Sequence, residues 1–316
     1  MKLALVFPGQ GSQRVGMGQA LAEVFAEARE VFEEVDDALD RRLSKILFEG
    51  PEDALTATEN AQPGLMAMSM AVLRVMTAQG GLDVGAQVAF VAGHSLGEYA
   101  ALAAAGAFSL GDAARLLDAR GTAMKNAGSK DGGGGMSALL GANIKIAEEV
   151  VENAAKTTGL VCVVANDNGP GQVVISGHDG ALEVAEGLAT EAGAKRAVRL
   201  GVSAGFHSPL MAPAAEVMHD VLASAGLRPP NPPVVANVTA GPVSGVEEIR
   251  DLLERQITGR VRWRESVEFM VEAGVDTIAE LGAGKVLTGL NRRIHKDLVT
   301  AAVETPEDVE AFLKSV

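Results

Sequence analysis

The chain has 316 residues, of which 47% are hydrophobic and 3% aromatic, and it carries a formal net charge of −14. So much apolar material argues against disorder, the scarcity of rings against a stacking platform for single-stranded nucleic acid, and the acidic balance against phosphate-backbone binding. A lone cysteine, Cys162, excludes an intrachain disulfide framework and suits a reducing compartment, and no apolar run approaches the roughly 20 residues of a membrane span, so a cytoplasmic protein is expected.

The N-terminal run Leu3-Ala4-Leu5-Val6-Phe7 reads as a strand buried on both faces. It is too short for a signal segment and stops at Pro8-Gly9. A polar loop, Gln10-Gly11-Ser12-Gln13, leads towards helical spacing over 19–40. Gln62-Pro63-Gly64 is expected to precede a Met-rich helix over 65–79. The apolar run Val88-Ala89-Phe90-Val91-Ala92 then enters Gly93-His94-Ser95-Leu96-Gly97, followed by helices over 98–107 and 110–127. Strands alternating with helices indicate a layered parallel sheet.

Gly132-Gly133-Gly134-Gly135 reads as a hinge or tight passage. Beyond it the pattern is strand 136–140, helix 144–156, strands 161–165 and 172–176, helix 180–192 and strand 196–200. This βαββαβ order is that of a ferredoxin-like unit. The expected organisation is therefore a large α/β-hydrolase-like domain, 1–131 and 201–316, with a ferredoxin-like subdomain, 132–200, inserted. In the second half of the large domain, helices are expected over 209–225, near 246–256 and after Trp263, with a strand over 277–280 and a strand-to-helix turn over 282–290.

The chemistry centres on Ser95. Glycines on both sides permit a sharp strand-to-helix turn that lifts its hydroxyl clear, and the following helix aims its N-terminal amides at the same spot. Serine needs a base to take its proton. Of the five histidines, His207 is the candidate, because Val202-Ser203-Ala204-Gly205-Phe206-His207-Ser208-Pro209 is a loop following a strand. His94 is too close along the chain to serve Ser95 as base and is placed among substrate-contacting residues. No His/Cys cluster has metal-ligand spacing, and neither a Walker A loop nor a dinucleotide fingerprint is present. The Gly-x-Ser-x-Gly pattern by itself also fits a serine hydrolase or thioesterase, and a non-catalytic acyl-carrier-binding protein on the same fold stays open.

Phe7-Pro8-Gly9-Gln10-Gly11-Ser12-Gln13, Gly93-His94-Ser95-Leu96-Gly97-Glu98-Tyr99, Arg120-Gly121, Phe206-His207-Ser208 and Gly282-Ala283-Gly284-Lys285-Val286-Leu287 together resemble the malonyl-CoA:acyl carrier protein transacylase family over essentially the whole chain. The resemblance implies ping-pong transfer of malonyl from malonyl-CoA, through a malonyl-Ser95 ester, to the phosphopantetheine thiol of acyl carrier protein, in fatty-acid or polyketide synthesis and without a cofactor. It implies that His207 is the base, oriented by the backbone carbonyl of Gln256, and that the amides of Gln10 and Leu96 form the oxyanion hole. Arg120 would hold the malonyl carboxylate through its guanidinium fork. Phe206 resembles malonyl-selecting members. Gly205 stands where relatives often carry proline, which would loosen the base loop. Lys195, Arg196, Arg199, Arg260, Arg262, Arg264, Arg292, Arg293 and Lys296 are candidates for docking the acidic carrier. A monomer is expected.

Overall fold

The computed structural model describes residues 1–128, 134–202 and 204–314. Its strands, in chain order, are β1 (Leu3–Phe7), β2 (Val88–Gly93), β3 (Gly135–Leu140), β4 (Cys162–Asp167), β5 (Gln172–Gly177), β6 (Arg196–Arg199), β7 (Val234–Ala236), β8 (Gly241–Val243), β9 (Thr277–Leu281) and β10 (Val299–Val303). A six-stranded sheet has the order β10-β9-β1-β2-β7-β8, and a separate four-stranded sheet has the order β4-β5-β3-β6.

β1 lies inside the large sheet with all five of its side chains buried, as its unbroken apolar run requires. It pairs in parallel with β2 and β9, β10 extends the sheet beyond β9, and β7 beyond β2. Neither β10 nor the one antiparallel edge strand of this sheet is among the strands expected from the sequence. That strand, β8, pairs with β7 and carries Pro242, which a strand tolerates at an edge because no donor is needed there.

The helices differ from expectation where local signals were ambiguous. The segment read as one helix over 19–40 is two, Gln19–Val24 and Ala26–Leu39, with Phe25 extended between them. The Met-rich helix begins at Thr58, so Gln62-Pro63-Gly64 lies inside it rather than before it. Pro63 has no N–H to offer the Glu59 carbonyl, and Arg41 Nη2 fills the vacancy at 3.1 Å. The helix after Ser95 is Gly97–Ala104, shorter than the expected 98–107.

The small sheet is antiparallel throughout, in the ferredoxin-like order. Alternation sorts its residues: Leu139, Val164, Val173 and Ile175 pack with its own two helices, Ile144–Thr158 and Asp179–Glu191, whereas Met136, Ala138, Ala165 and Val174 join the main core. The two lobes are stitched beside the carboxyl edge of the large sheet. Asp167 N donates to the Val261 carbonyl at 2.9 Å and Val261 N to the Ala165 carbonyl at 2.8 Å. Buried Asp167 pairs with Arg264 at 2.8 Å. In the glycine run, Gly132 and Gly133 lie outside the described residues, while Gly135 already belongs to β3, paired with Gly177. Among the described residues no helix is long and apolar enough to cross a membrane.

Candidate active site

Three loops leave neighbouring strands of the large sheet at their carboxyl ends, the usual place for a ligand crevice in an open α/β sheet. The loop after β1 carries Gln10, the turn after β2 carries Ser95, and the segment after β7 starts with Asn237. Close packing makes the Ser95 turn possible. A Cβ on Gly93 would sit 1.9 Å from the backbone of Gly97, and one on Gly97 would sit 2.3 Å from the Phe7 carbonyl oxygen. Gly93→Ala is therefore expected to destabilise the fold by about 3 kcal/mol, the upper end for overpacking, measured by denaturant unfolding.

Ser95 has φ +54 and His207 φ +55, two of only four non-glycine residues with positive φ among those described. Such backbone strain persists only where the surroundings enforce it. At Ser95 the enforcement comes from Asn237, whose Oδ1 accepts from the Ser95 amide and whose Nδ2 donates to the Gly93 carbonyl, each at 2.7 Å.

Ser95 Oγ lies 2.7 Å from His207 Nε2. On the far side of the ring, Nδ1 faces the carbonyls of Gln256 at 2.9 Å and Gly259 at 3.1 Å. Carbonyls only accept, so Nδ1 carries the proton and Nε2 presents its lone pair to the serine hydroxyl. Burial, together with the nearby charge of Arg120, pushes the His207 pKa down to about 3. The ring is thus neutral, and competent as a base, well below the ordinary histidine range. The rate of Ser95 acylation is expected to show no histidine limb between about pH 6.5 and 5, where an unperturbed imidazole would lose about sixteenfold. Quenched single-turnover mass spectrometry over that range measures this, and a tenfold fall would contradict it. Stability follows the opposite course. The unfolded chain takes up a proton near the ordinary value and folded His207 does not, so its contribution is complete above that value and is lost as the pH falls towards 3.

Arg120 is 1% exposed and makes no ion pair among the described residues. Nη1 donates to Gln62 Oε1 at 2.7 Å, and Nη2 donates to Gln256 Oε1 at 2.9 Å and to Ser95 Oγ at 3.1 Å. Its Nε, though buried, has no partner. Beneath it lies Glu98, a buried carboxylate that accepts from Asn237 N at 3.0 Å and from Gln256 Nε2 at 2.8 Å. Burial raises the Glu98 pKa to about 7, with these two donors and Arg120 opposing the rise.

Ser95, His207, Arg120, Gln10, Leu96, His94 and Phe206 line one cavity of about 280 Å³, shared with Gln62, Met124, Met136 and Asn166. The backbone amides of Gln10 and Leu96 donate to no acceptor among the described residues. Both are thus free to receive a developing oxyanion. Gln256 lies below the cavity instead of lining it. His94 lines it, with its Nε2 2.8 Å from Asn168 Oδ1. Gly205, expected to loosen the base loop, has its carbonyl held by Ser208 Oγ at 2.6 Å; Ser203 lies outside the described residues.

The basic candidates divide. Arg199 pairs with Asp179 and Glu186, Arg260 with Glu148, Arg262 with Glu265, and Arg264 with Asp167 and Glu268, so these four are engaged within the fold. Arg292 bonds Thr300 and Arg293 bonds Gln172. Lys195, Arg196 and Lys296 are exposed and form no ion pair among the described residues. Sequence reasoning missed Asn237, Gln62, Glu98 and Asn168 as parts of the site. Glu98 alone carried a signal, as an acid following the serine turn.

Comparison with known proteins agrees with this geometry. The model of the acyl transferase domain matches residues 4–307. The malonyl CoA-acyl carrier protein transacylase of Bacillus subtilis is 42% identical over 315 residues, covering 100% of this chain and 97% of the relative. That of Escherichia coli is 42% identical over 313 residues, covering 99% of each. The crystal structure of an acyl-carrier-protein-S-malonyltransferase from Bartonella henselae superposes with a TM-score of 0.96 at 56% identity, covering 100% of this chain and 99% of the other. A malonyl-transacylase solved in complex with its type II PKS acyl-carrier protein superposes with a TM-score of 0.95 at 40% identity, covering both chains fully. Likeness of this degree over the full length shows that the chain belongs to the acyl transferase family, in the branch formed by malonyl CoA-acyl carrier protein transacylases.

Proposed function

We propose that the chain moves a malonyl group from malonyl-CoA to the phosphopantetheine thiol of acyl carrier protein, through an ester on Ser95. The observation that carries this reading is the fork of Arg120, buried without a carboxylate partner and bonded to the nucleophile itself. A carboxylated acyl group entering the cavity supplies the missing anion. Ser95 Oγ attacks the thioester carbon while His207 Nε2 takes its proton, and the amides of Gln10 and Leu96 receive the oxyanion. Collapse expels the CoA thiolate, which His207 protonates. The carrier thiol then gives its proton to His207 and attacks the ester, and Ser95 Oγ leaves with that proton. As Oγ becomes an ester oxygen it stops needing the Arg120 Nη2 hydrogen, which turns to the malonyl carboxylate. Phe206 and His94 shape the acyl pocket.

Lys195, Arg196, Arg292, Arg293 and Lys296 are the residues we assign to carrier docking. The domain boundaries we assign are 1–131 with 201–316, and 132–200. We place the protein in the cytoplasm as a monomer, in keeping with its lone, buried cysteine.

Incubation with malonyl-CoA is expected to add one malonyl group, mapped to Ser95 by peptide mass spectrometry, and holo-carrier protein is expected to discharge it. Ser95→Ala is expected to give neither adduct nor transfer. Turnover persisting in Ser95→Ala would refute the mechanism, and release of free malonate as fast as transfer would make the protein a hydrolase.

A further inference from the structure

One buried chain of hydrogen bonds links the two groups assigned above to opposite ends of the acyl group. Arg120 Nη1 donates to Gln62 Oε1 at 2.7 Å, Gln62 Nε2 donates to Thr58 Oγ1 at 2.9 Å, and Thr58 Oγ1 donates to Gln10 Oε1 at 3.0 Å. Thr58 is 4% exposed and Gln62 1%, and Thr58 does not line the cavity.

The direction of the chain is dictated by chemistry. A guanidinium has no acceptor, so Gln62 must turn its carbonyl to Arg120 and its amide to Thr58. The Thr58 hydroxyl, having accepted there, spends its proton on Gln10. Each bond therefore settles the next, and a threonine in the middle is the only member that both receives and gives through one atom. Thr58 and Gln62 stand one turn apart on the helix Thr58–Gly80 and so share a face. Gly121, next to Arg120, lets the helix Leu110–Gly128 approach that face: a Cβ there would lie 2.7 Å from both the Thr58 carbonyl oxygen and Glu59 Cα.

We infer that Thr58 is a positioning residue that sets the register between the carboxylate-binding fork of Arg120 and the oxyanion-binding loop of Gln10, and so helps select a three-carbon dicarboxylic acyl group. The inference builds on the assignment of Arg120 and Gln10 under the proposed function. Malonyl has one short, nearly fixed span between its carboxylate and its thioester carbonyl. Both ends engage together only if the fork and the amide are held at the matching separation. An acetyl group engages only the Gln10 end and is indifferent to that separation.

The test compares wild type, Thr58→Val, Thr58→Ser and Arg120→Ala in single-turnover acylation by malonyl-CoA and by acetyl-CoA. Valine keeps the shape and removes both bonds. It is expected to lower the maximal malonyl rate by about tenfold, the loss of roughly one net hydrogen bond, with little change in half-saturating concentration and with acetyl within about twofold of wild type. Serine restores the hydroxyl and is expected to restore the malonyl rate. If Thr58→Val lowers both substrates equally, or lowers neither, the inference is wrong. Should Thr58→Val fail to fold, Thr58→Ala decides by the same ratio, since it also removes both bonds and leaves every cavity-lining residue in place. Failure of the underlying reading looks different: wild type then forms no malonyl-Ser95, or Arg120→Ala keeps the wild-type malonyl-to-acetyl ratio.

Discussion

Arg120→Ala is expected to slow acylation by malonyl-CoA by about a hundred- to ten-thousandfold while leaving the slow acylation by acetyl-CoA within about tenfold of wild type, as for a site built around one polar group of its substrate. The physical basis is the cavity in which the fork sits. Arg120 is desolvated, and its side-chain neighbours offer it amide and hydroxyl oxygens from Gln62, Gln256 and Ser95 but no carboxylate in ion-pair contact. An incoming carboxylate adds to the hydrogen bonds a full opposite charge and a bidentate match to the fork, which none of those uncharged oxygens offers. Acetyl gains nothing from the fork and loses nothing without it. Lysine is the informative second variant, because it retains the charge and gives up the planar fork. Arg120→Lys is expected to recover only a minor part of the malonyl rate. Thermal unfolding controls for the buried Glu98 carboxylate, which loses its nearby cation in Arg120→Ala. An unchanged ratio of malonyl to acetyl rates would show that the carboxylate is bound elsewhere.

His207→Ala is expected to slow Ser95 acylation by about a thousand- to ten-thousandfold, leaving the residual rate that positioning and the oxyanion amides supply without a base. The estimate lies at the upper end of general-base effects because the geometry is preorganised. Oγ and Nε2 are 2.7 Å apart, and the two carbonyls hold the productive tautomer. Orientation by carbonyls of Gln256 and Gly259, with no acid side chain behind the ring, leaves the imidazolium that forms during attack less stabilised than an aspartate would. Burial beside Arg120 works in the same direction. Such a base hands its proton on readily to the departing thiolate. Quantifying the acyl-enzyme after rapid quenching tests the expectation, and a loss below about tenfold would remove His207 from the role of base.

The parts of the site visible in the sequence are those written in local geometry. Gly93 and Gly97 flank a serine after an apolar strand, and the structure shows that neither position has room for a Cβ. His207 was selectable because a serine nucleophile needs a base and few histidines lie on loops. The ferredoxin-like unit was legible for the same reason, since its strands and helices each carry their own periodicity. Pro63 misled the reading because proline usually ends a helix, whereas here Arg41 satisfies the carbonyl that proline leaves bare. The edge strand β8 escaped because three residues containing a proline have no period to detect.

Asn237, Gln62 and Thr58 carry no local mark. An asparagine after a strand, or a glutamine and a threonine on a helix, is a common surface residue in any sequence. Asn237 becomes the clamp of the Ser95 turn only because β7 pairs with β2 and brings it to Ser95, 142 residues away along the chain. Gln62 and Thr58 join Arg120 to Gln10 only because a glycine lets two helices touch. The sequence alone therefore determined the strand-turn-helix that carries the nucleophile, the two-lobed organisation, and, through resemblance, the residues to watch. Tertiary structure decided which polar groups meet, because a buried donor must find an acceptor wherever the packed chain brings one, whatever the distance along the sequence.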